Sequence, residues 1–460
     1  MSLLLDSPAL EQARLLRDGK VTSLELTKAY LAKIKAKNPE LQAFSQVLER
    51  QALKTAKQKD KLLQKARKQN TLDQLPTFTG VPSGIKDLSL MKGTFSRMGS
   101  RAYRYLLAPI DSWVTKRMKD AGFVILGKLA TSEFGAMPIT EPEIHPPTRN
   151  PWNQGHSAGG SSGGTGSAVG SGLVPFAQGG DGAGSIRIPA AFCHCFGFKP
   201  SRTLNLCPAP KVDKFRFATV GPITNNVDDA AAMLDIMVGT HTYDQSNRIN
   251  SYLEKTSQSI PKLKIRVCSE TPLAKTEPII LEAVEEMAKQ LEKMGHDIEH
   301  VPALEASLEE FLPLWQRLLA NVPVYREDLL QPVTRWLREN GKKISQEDNT
   351  KLFKLLEERV NEWFGDADIM LTPSVAGFAP EIGKWKHLSA DLAFESAAEL
   401  GAFTAPFNIS GQPAASIPMG INSDNLPYAV QIAGKVGFDA EVLALSKKLE
   451  EVLPWRQRSL

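Results

Sequence analysis

The stretch from Arg149 to Arg202 constrains this chain more than any other. Twelve glycines fall between residues 155 and 184, serines at 157, 161, 162, 167 and 171 stand among them, and Ser185 follows directly. Glycine at this density suits a flexible linker, but a linker would not carry Leu173-Val174-Pro175-Phe176-Ala177 and Ile186-Arg187-Ile188-Pro189-Ala190-Ala191-Phe192. The stretch is therefore read as ordered. In ordered chain, glycine serves positive φ angles and close approach of the backbone to another chain or a ligand. Several backbone N–H groups can then converge on one point, which is what holding the oxyanion of amide hydrolysis requires.

Three residues can carry such chemistry. Ser185 closes the second glycine run, Ser161 lies in the first, and Lys86 lies far upstream in Gly80-Val81-Pro82-Ser83-Gly84-Ile85-Lys86-Asp87. A serine hydroxyl is a poor nucleophile until a neighbouring base takes its proton, and a buried neutral lysine can be that base.

These segments belong to an ordered set: Gly-Val-Pro-x-Gly-Ile-Lys-Asp at 80–87, Gly-Gly-Ser-Ser-Gly-Gly at 159–164, Asp-Gly-Ala-Gly-Ser-Ile-Arg-Ile-Pro at 181–189, Gly-Phe-Lys-Pro-Ser at 197–201, Val-Gly-Pro-Ile at 220–223 and Asn-Ile-Ser-Gly-Gln-Pro-Ala at 408–414. In content and order the set resembles the amidase signature family, over nearly the whole chain. The resemblance implies an α/β fold with a large mixed central β-sheet sandwiched between α-helices. It implies hydrolysis of a carboxylic amide C–N bond in a linear or cyclic small molecule, with no metal and no cofactor. It also implies a Ser–Ser–Lys triad: Ser185 as acylated nucleophile, Ser161 as the bridging serine that the family holds on a cis peptide bond, and Lys86 as base. Backbone N–H groups of Gly182, Ala183, Gly184 and Ser185 would form the oxyanion hole, and Asp181 and Arg187 would brace the loop through a buried pair.

The chain departs from the family at one point. A threonine or similar residue and two glycines usually precede the nucleophile, whereas Gly182-Ala183-Gly184 stand here. A positive φ at Ala183 would strain it. A glycine after the aspartate resembles the branch that includes cyclic amide hydrolases. The chemistry further requires Lys86 to be neutral near pH 7, a change from about 10.4 that takes roughly 4 kcal/mol of desolvation and local charge effects. Asp87 would oppose that change if its carboxylate faced Lys86, so it is expected to point away, toward backbone donors.

With 460 residues, 42% apolar and 23% charged, the chain can bury a large core. The motifs spread from one end to the other, so a single domain over 1–460 is expected, with a helical N-terminal arm (1–70), a signature core (71–240) and a C-terminal half (241–460) that completes sheet and pocket. A net charge of +4 is mild for this size and excludes no small substrate, but it offers no basic block of nucleic-acid density. The start lacks the features of a secretory signal and no apolar run reaches bilayer length, so no membrane partner and a cytoplasmic location are expected. Partners reduce to the amide substrate and a homodimer. Cysteines 193, 195, 207 and 268 are too irregular for a disulfide framework, and Cys193-His194-Cys195 lacks a second ligand pair, so core thiols are expected. None of the seven histidines stands in a hydrolase motif.

Periodicity predicts helices over 7–18, 22–37 (with a capping box, Thr22 and Glu25) and 42–69, the last lysine-rich on a solvated face. Beyond residue 80, strand and helix alternate. Pro82, Ser83 and Gly84 read as turn residues ahead of Lys86; 161–172 reads as a glycine-rich helix; 226–238 reads as a helix stopped by Gly239; 263–301 reads as a β-α-β unit. From 304 to 364 the chain reads as helices broken at Pro313, Pro323 and Pro332. Phe134 to Met137, Phe311, Trp315, Tyr325, Trp336, Phe353, Trp363 and Phe364 are candidates for an acyl pocket or for plain core.

Three rival readings exist. Gly159-Gly160-Ser161-Ser162-Gly163 satisfies G-x-S-x-G, the nucleophile elbow of α/β-hydrolase esterases, with Ser161 attacking, but an elbow follows a strand and this one follows a polar loop. A phosphate cradle would need a Walker or dinucleotide fingerprint, and neither occurs. A tRNA-dependent amidotransferase subunit, acting on glutamine, shares the motifs, but Val212 to Thr219 is unlike the stretch that marks those subunits.

Overall fold

The protein is described here by a computed structural model covering residues 2–205, 208–238, 251–453 and 455. Gly239, Cys207 and His241 lie outside the described residues. One mixed sheet organises the chain. Its strands are β1 (Phe44–Val47), β2 (Pro82–Lys86), β3 (Val124–Leu129), β4 (Phe176–Asp181), β5 (Phe196–Lys199), β6 (Thr219–Thr224), β7 (Lys264–Val267), β8 (Asp297–His300), β9 (Ile369–Pro373), β10 (Ala414–Ile421) and β11 (Pro427–Gly434). Their spatial order is β1-β3-β2-β4-β6-β5-β10-β11-β9-β7-β8. β2 runs parallel to β3 and β4, and β7 runs parallel to β8 and β9, while the remaining neighbours are antiparallel. The α/β architecture expected from the sequence is the one observed.

Alternation along β11 explains how helices cover both faces. Successive side chains of a strand point to opposite sides. Val430 and Ile432 join an apolar cluster with Val284, Met287, Val442 and Leu445 of the helices Pro278–Lys293 and Asp439–Val452. Ala429 packs instead with Ile188 and Ala191 of the short helix Arg187–Phe192, and Gln431 reaches Arg187. The segment around Arg187 is thus pressed onto one face by a core that closes on the other.

The N-terminal helices Ala9–Arg17, Ser23–Leu41 and Glu49–Gln69 bury Leu16, Leu26, Tyr30 and Leu63 against β2, β3 and β4. Thr22 and Glu25 form the expected capping box. The third helix does not begin at 42, as its sequence suggests. Gln42 takes a left-handed φ of 52° that ends the preceding helix, Phe44 N–H donates to Asn38 Oδ1, and 44–47 pair antiparallel with β3 before the helix restarts at Glu49.

Two other expectations fail for local reasons. Pro82, Ser83 and Gly84 are strand, not turn: proline is tolerated at a strand's first residue, Ser83 Oγ donates to Phe176 O, and a Cβ at Gly84 would lie 2.7 Å from Leu129 Cδ1. Pro313 lies inside the helix Leu308–Ala320, because burial of Leu314, Trp315 and Leu319 outweighs one missing helical hydrogen bond. Cys193, Cys195 and Cys268 are buried and unbridged, as core thiols are. Among the described residues no helix is long and apolar enough to cross a membrane.

Candidate active site

Three segments deliver the expected residues to one place. Lys86 ends β2, Ser161 and Ser162 precede the helix Gly163–Gly170, and Asp181 to Arg187 links β4 to the next helix. The helix 163–170 can lie so close to its neighbours because it is nearly bare: a Cβ at Gly164 would lie 2.2 Å from Ala130 N and one at Gly163 2.4 Å from Thr140 Oγ1. The peptide bond Gly160–Ser161 is cis.

Lys86 Nζ donates to Ser161 Oγ at 2.8 Å, to Ser162 Oγ at 2.8 Å and to Gly180 O at 3.2 Å. Its side chain is 1% exposed. Burial pushes this amine down to about 7, against an opposing pull from the Asp181 carboxylate. Asp87 does point away, but its partner is another lysine rather than backbone alone: Asp87 Oδ1 pairs with Lys128 Nζ at 2.9 Å, and Oδ2 accepts from the Arg97 N–H at 3.3 Å. The charge that works against a neutral Lys86 is therefore Asp181, not its sequence neighbour.

Ser185 is 8% exposed and lines a largely apolar cavity. Ser162 N–H donates to the Ser185 carbonyl at 3.2 Å, which ties the two glycine runs together. No hydrogen bond joins the Ser161 and Ser185 hydroxyls; Lys86 and Ser161 are in contact, and Ser185 lines the cavity.

Asp181 and Arg187 form the expected buried pair. Arg187 uses all of its N–H donors: Nε to Asp181 Oδ2 (2.9 Å), Nη1 to Thr404 O (2.9 Å) and Gln431 Oε1 (2.7 Å), and Nη2 to Asp181 Oδ1 (2.9 Å) and Asn408 Oδ1 (2.6 Å). Burial alone would raise the Asp181 carboxyl, but the guanidinium beside it holds it well below the usual carboxylate range.

The oxyanion donors need one correction. Gly184 N–H is committed to Asp181 Oδ1 at 2.7 Å, and Ile186 N–H to Oδ2 at 3.1 Å. Among the described residues the N–H groups of Gly182, Ala183 and Ser185 have no protein acceptor. The strain expected at Ala183 does not arise, since the positive φ falls on Gly184 (122°), where a Cβ would lie 2.1 Å from Thr404 Oγ1.

Of the aromatic candidates, Phe311 and Trp315 line the cavity, as do Gly135, Ala136 and Met137. Phe134 packs just outside against Tyr103, Phe353 stacks on Phe215, and Tyr325 is exposed. Sequence reasoning missed Ser162, although it stood beside Ser161 in the same motif, and it gave no role to Asn408, whose Nδ2 donates to Asp181 O, Asp181 Oδ1 and Phe217 O. It also missed Lys199, a second buried lysine, which burial brings down to about 7. It stood in the Gly-Phe-Lys-Pro-Ser motif at 197–201, but the motif alone gave it no role.

A sequence model of the Amidase family matches residues 25–443. The chain belongs to the amidase family. As an amidase, it is a hydrolase of carbon–nitrogen bonds. A putative amidase of Synechocystis sp. is 36% identical over 457 residues, covering 98% of this chain and 89% of the relative. The 6-aminohexanoate-cyclic-dimer hydrolase of Pseudomonas sp. is 34% identical, covering 98% and 95%. A solved structure of 6-aminohexanoate cyclic dimer hydrolase complexed with substrate superposes on this amidase with a TM-score of 0.86 at 30% identity, covering 99% and 98%. The nucleophile-elbow reading of Ser161 does not fit this amidase, because the hydroxyl contacts Lys86 on a loop entering a helix and not at the end of a strand.

Proposed function

We propose that this amidase cleaves carboxylic amides in the cytoplasm through an acyl-enzyme on Ser185, with Ser161 and Lys86 as its proton relay. The carrying observation is a fully buried amine, brought to about 7, in hydrogen-bond contact with Ser161 Oγ. An ammonium at this position would donate to Ser161, Ser162 and Gly180 O together. A neutral amine has two N–H groups and one lone pair, so it donates to two of these and accepts the proton of Ser161.

In the first half-reaction, rotation of the Ser185 side chain brings its hydroxyl to Ser161. Ser185 Oγ then bonds to the amide carbon while its proton passes to Ser161 and the proton of Ser161 passes to Lys86. The carbonyl π pair moves onto oxygen, where the N–H groups of Gly182, Ala183 and Ser185 stabilise it. On collapse the C–N bond breaks, and the leaving nitrogen takes a proton back through Ser161. Water then attacks the ester, gives its proton to the same relay and releases the acid, and Ser185 is reprotonated. Asp181 and Arg187 are fully buried and act by holding the loop.

A fluorophosphonate should label Ser185 stoichiometrically, with the site located by peptide mass spectrometry, and Ser185→Ala should take no label. A label on Ser161 in the wild-type protein, or turnover by Ser185→Ala at the wild-type rate, would falsify the assignment.

A further inference from the structure

We infer that the acyl group taken by this amidase is apolar and carries no carboxylate, and that Trp315 and Phe311 set its course. The inference rests on the acyl-enzyme reading above. A carbonyl carbon bonded to Ser185 has three other directions to fill. Its oxygen points to the N–H groups of 182, 183 and 185. Its nitrogen must receive a proton from Ser161, so the amine lies on that side, where a Cβ on Gly135 would stand only 3.2 Å from Ser161 Oγ. The acyl substituent is left with the remaining wall of the cavity.

The apolar side chains that line the cavity include Trp315, Phe311, Leu308, Leu356, Val360 and Ile409. Trp315 is fixed by an N–H donated to Ala136 O at 3.1 Å and by stacking on Phe311 with ring centroids 5.9 Å apart. A Cβ at Gly182 would lie 3.3 Å from Trp315 Cη2, so the bare backbone there lets the indole lie against the nucleophile loop itself. The space nearest the reacting carbon is thus bounded by an aromatic face.

The charged side chains at the cavity are Glu305, Glu310 and Arg359. Glu305 is exposed. Arg359 and Glu310 make a bidentate pair at 2.8 and 3.0 Å, and Arg359 also donates to Glu305 O at 3.2 Å. The Glu310 carboxylate offsets the Arg359 charge, and with Glu305 the charged groups at the cavity carry a net negative charge. An acyl group bearing a carboxylate, as glutamine does, would lose its hydration here against that negative charge. An apolar one gains with each carbon buried: about 0.8 kcal/mol per methylene corresponds to about fourfold in kcat/KM.

The test is a series of p-nitroanilides with acetyl, butanoyl, hexanoyl and octanoyl groups, run beside the adipic monoanilide, which matches hexanoyl in length but ends in a carboxylate, the γ-glutamyl anilide and a cyclic diamide. We expect kcat/KM to climb about fourfold per methylene up to hexanoyl, with the adipoyl and γ-glutamyl compounds at least about tenfold below it. Leu356→Trp, which fills the wall, should move the optimum to a shorter chain; if that variant does not fold, the wild-type series decides alone. A flat or falling series, a preference for adipoyl or γ-glutamyl, or faster turnover of the cyclic diamide than of every linear amide overturns the inference. A failure of Ser185 to take the fluorophosphonate overturns the acyl-enzyme reading instead, whatever the series shows.

Discussion

At the scale of single residues, the protein's central feature is an amine kept from its usual charge. Lys86 is brought to about 7 chiefly by burial. A base must be unprotonated to act, so kcat/KM should rise with pH through about 7 and then level. A pH–rate profile of the wild-type protein checks this, and a profile flat from pH 5 to 9 would remove Lys86 from the role. Ser162 shares the amine with Ser161 at the same distance, so Ser162→Ala should displace that inflection while Ser161→Ala should depress the plateau by about 10²–10⁴-fold. Lys86, Ser161 and Ser185 were legible in the sequence because each sits in a short motif whose glycines only make sense around a crowded backbone. Lys128 was not. It reads as one more lysine in Gly127-Lys128-Leu129, and only pairing of β3 with β2 brings it against Asp87. A contact made by strand register leaves no trace at either position.

At the scale of elements, the loop from Asp181 to Arg187 depends on one backbone angle and one ion pair. Gly184→Ala would place a methyl group 2.1 Å from Thr404 Oγ1 at a φ of 122°. The loop must shift, and displacement of a nucleophile by about 1 Å costs on the order of 10²-fold in rate, which steady-state kinetics on a protein verified as folded will show. Asp181→Asn leaves a fully buried guanidinium without its carboxylate. Loss of one partner of such a pair costs roughly 3–5 kcal/mol, to be read as a lower urea midpoint at unchanged slope. Amphipathic helices such as Pro278–Lys293 were readable from their periodicity, and the glycine-rich strands β4, β5 and β6 were not. Their residues are almost all buried, so they lack the alternation that marks a half-exposed strand.

At the scale of the molecule, β1 comes from within the first seventy residues and pairs with β3, while β10, from the last fifty, pairs with β5 beside the helix Arg187–Phe192. We therefore expect a single calorimetric transition with equal calorimetric and van't Hoff enthalpies; two resolved transitions would divide the chain into separate domains. The mixed sheet was foreseeable from the motif order, but its strand order was not, since antiparallel neighbours such as β5 and β10 lie more than two hundred residues apart.

The anchors of Arg187 carry a consequence for biosynthesis. Thr404, Asn408 and Gln431 follow it by 217, 221 and 244 residues. A ribosome that has made the entire glycine-rich stretch has made the Asp181 partner of Arg187 but none of these three. The guanidinium can complete its set of acceptors only after translation has passed Gln431.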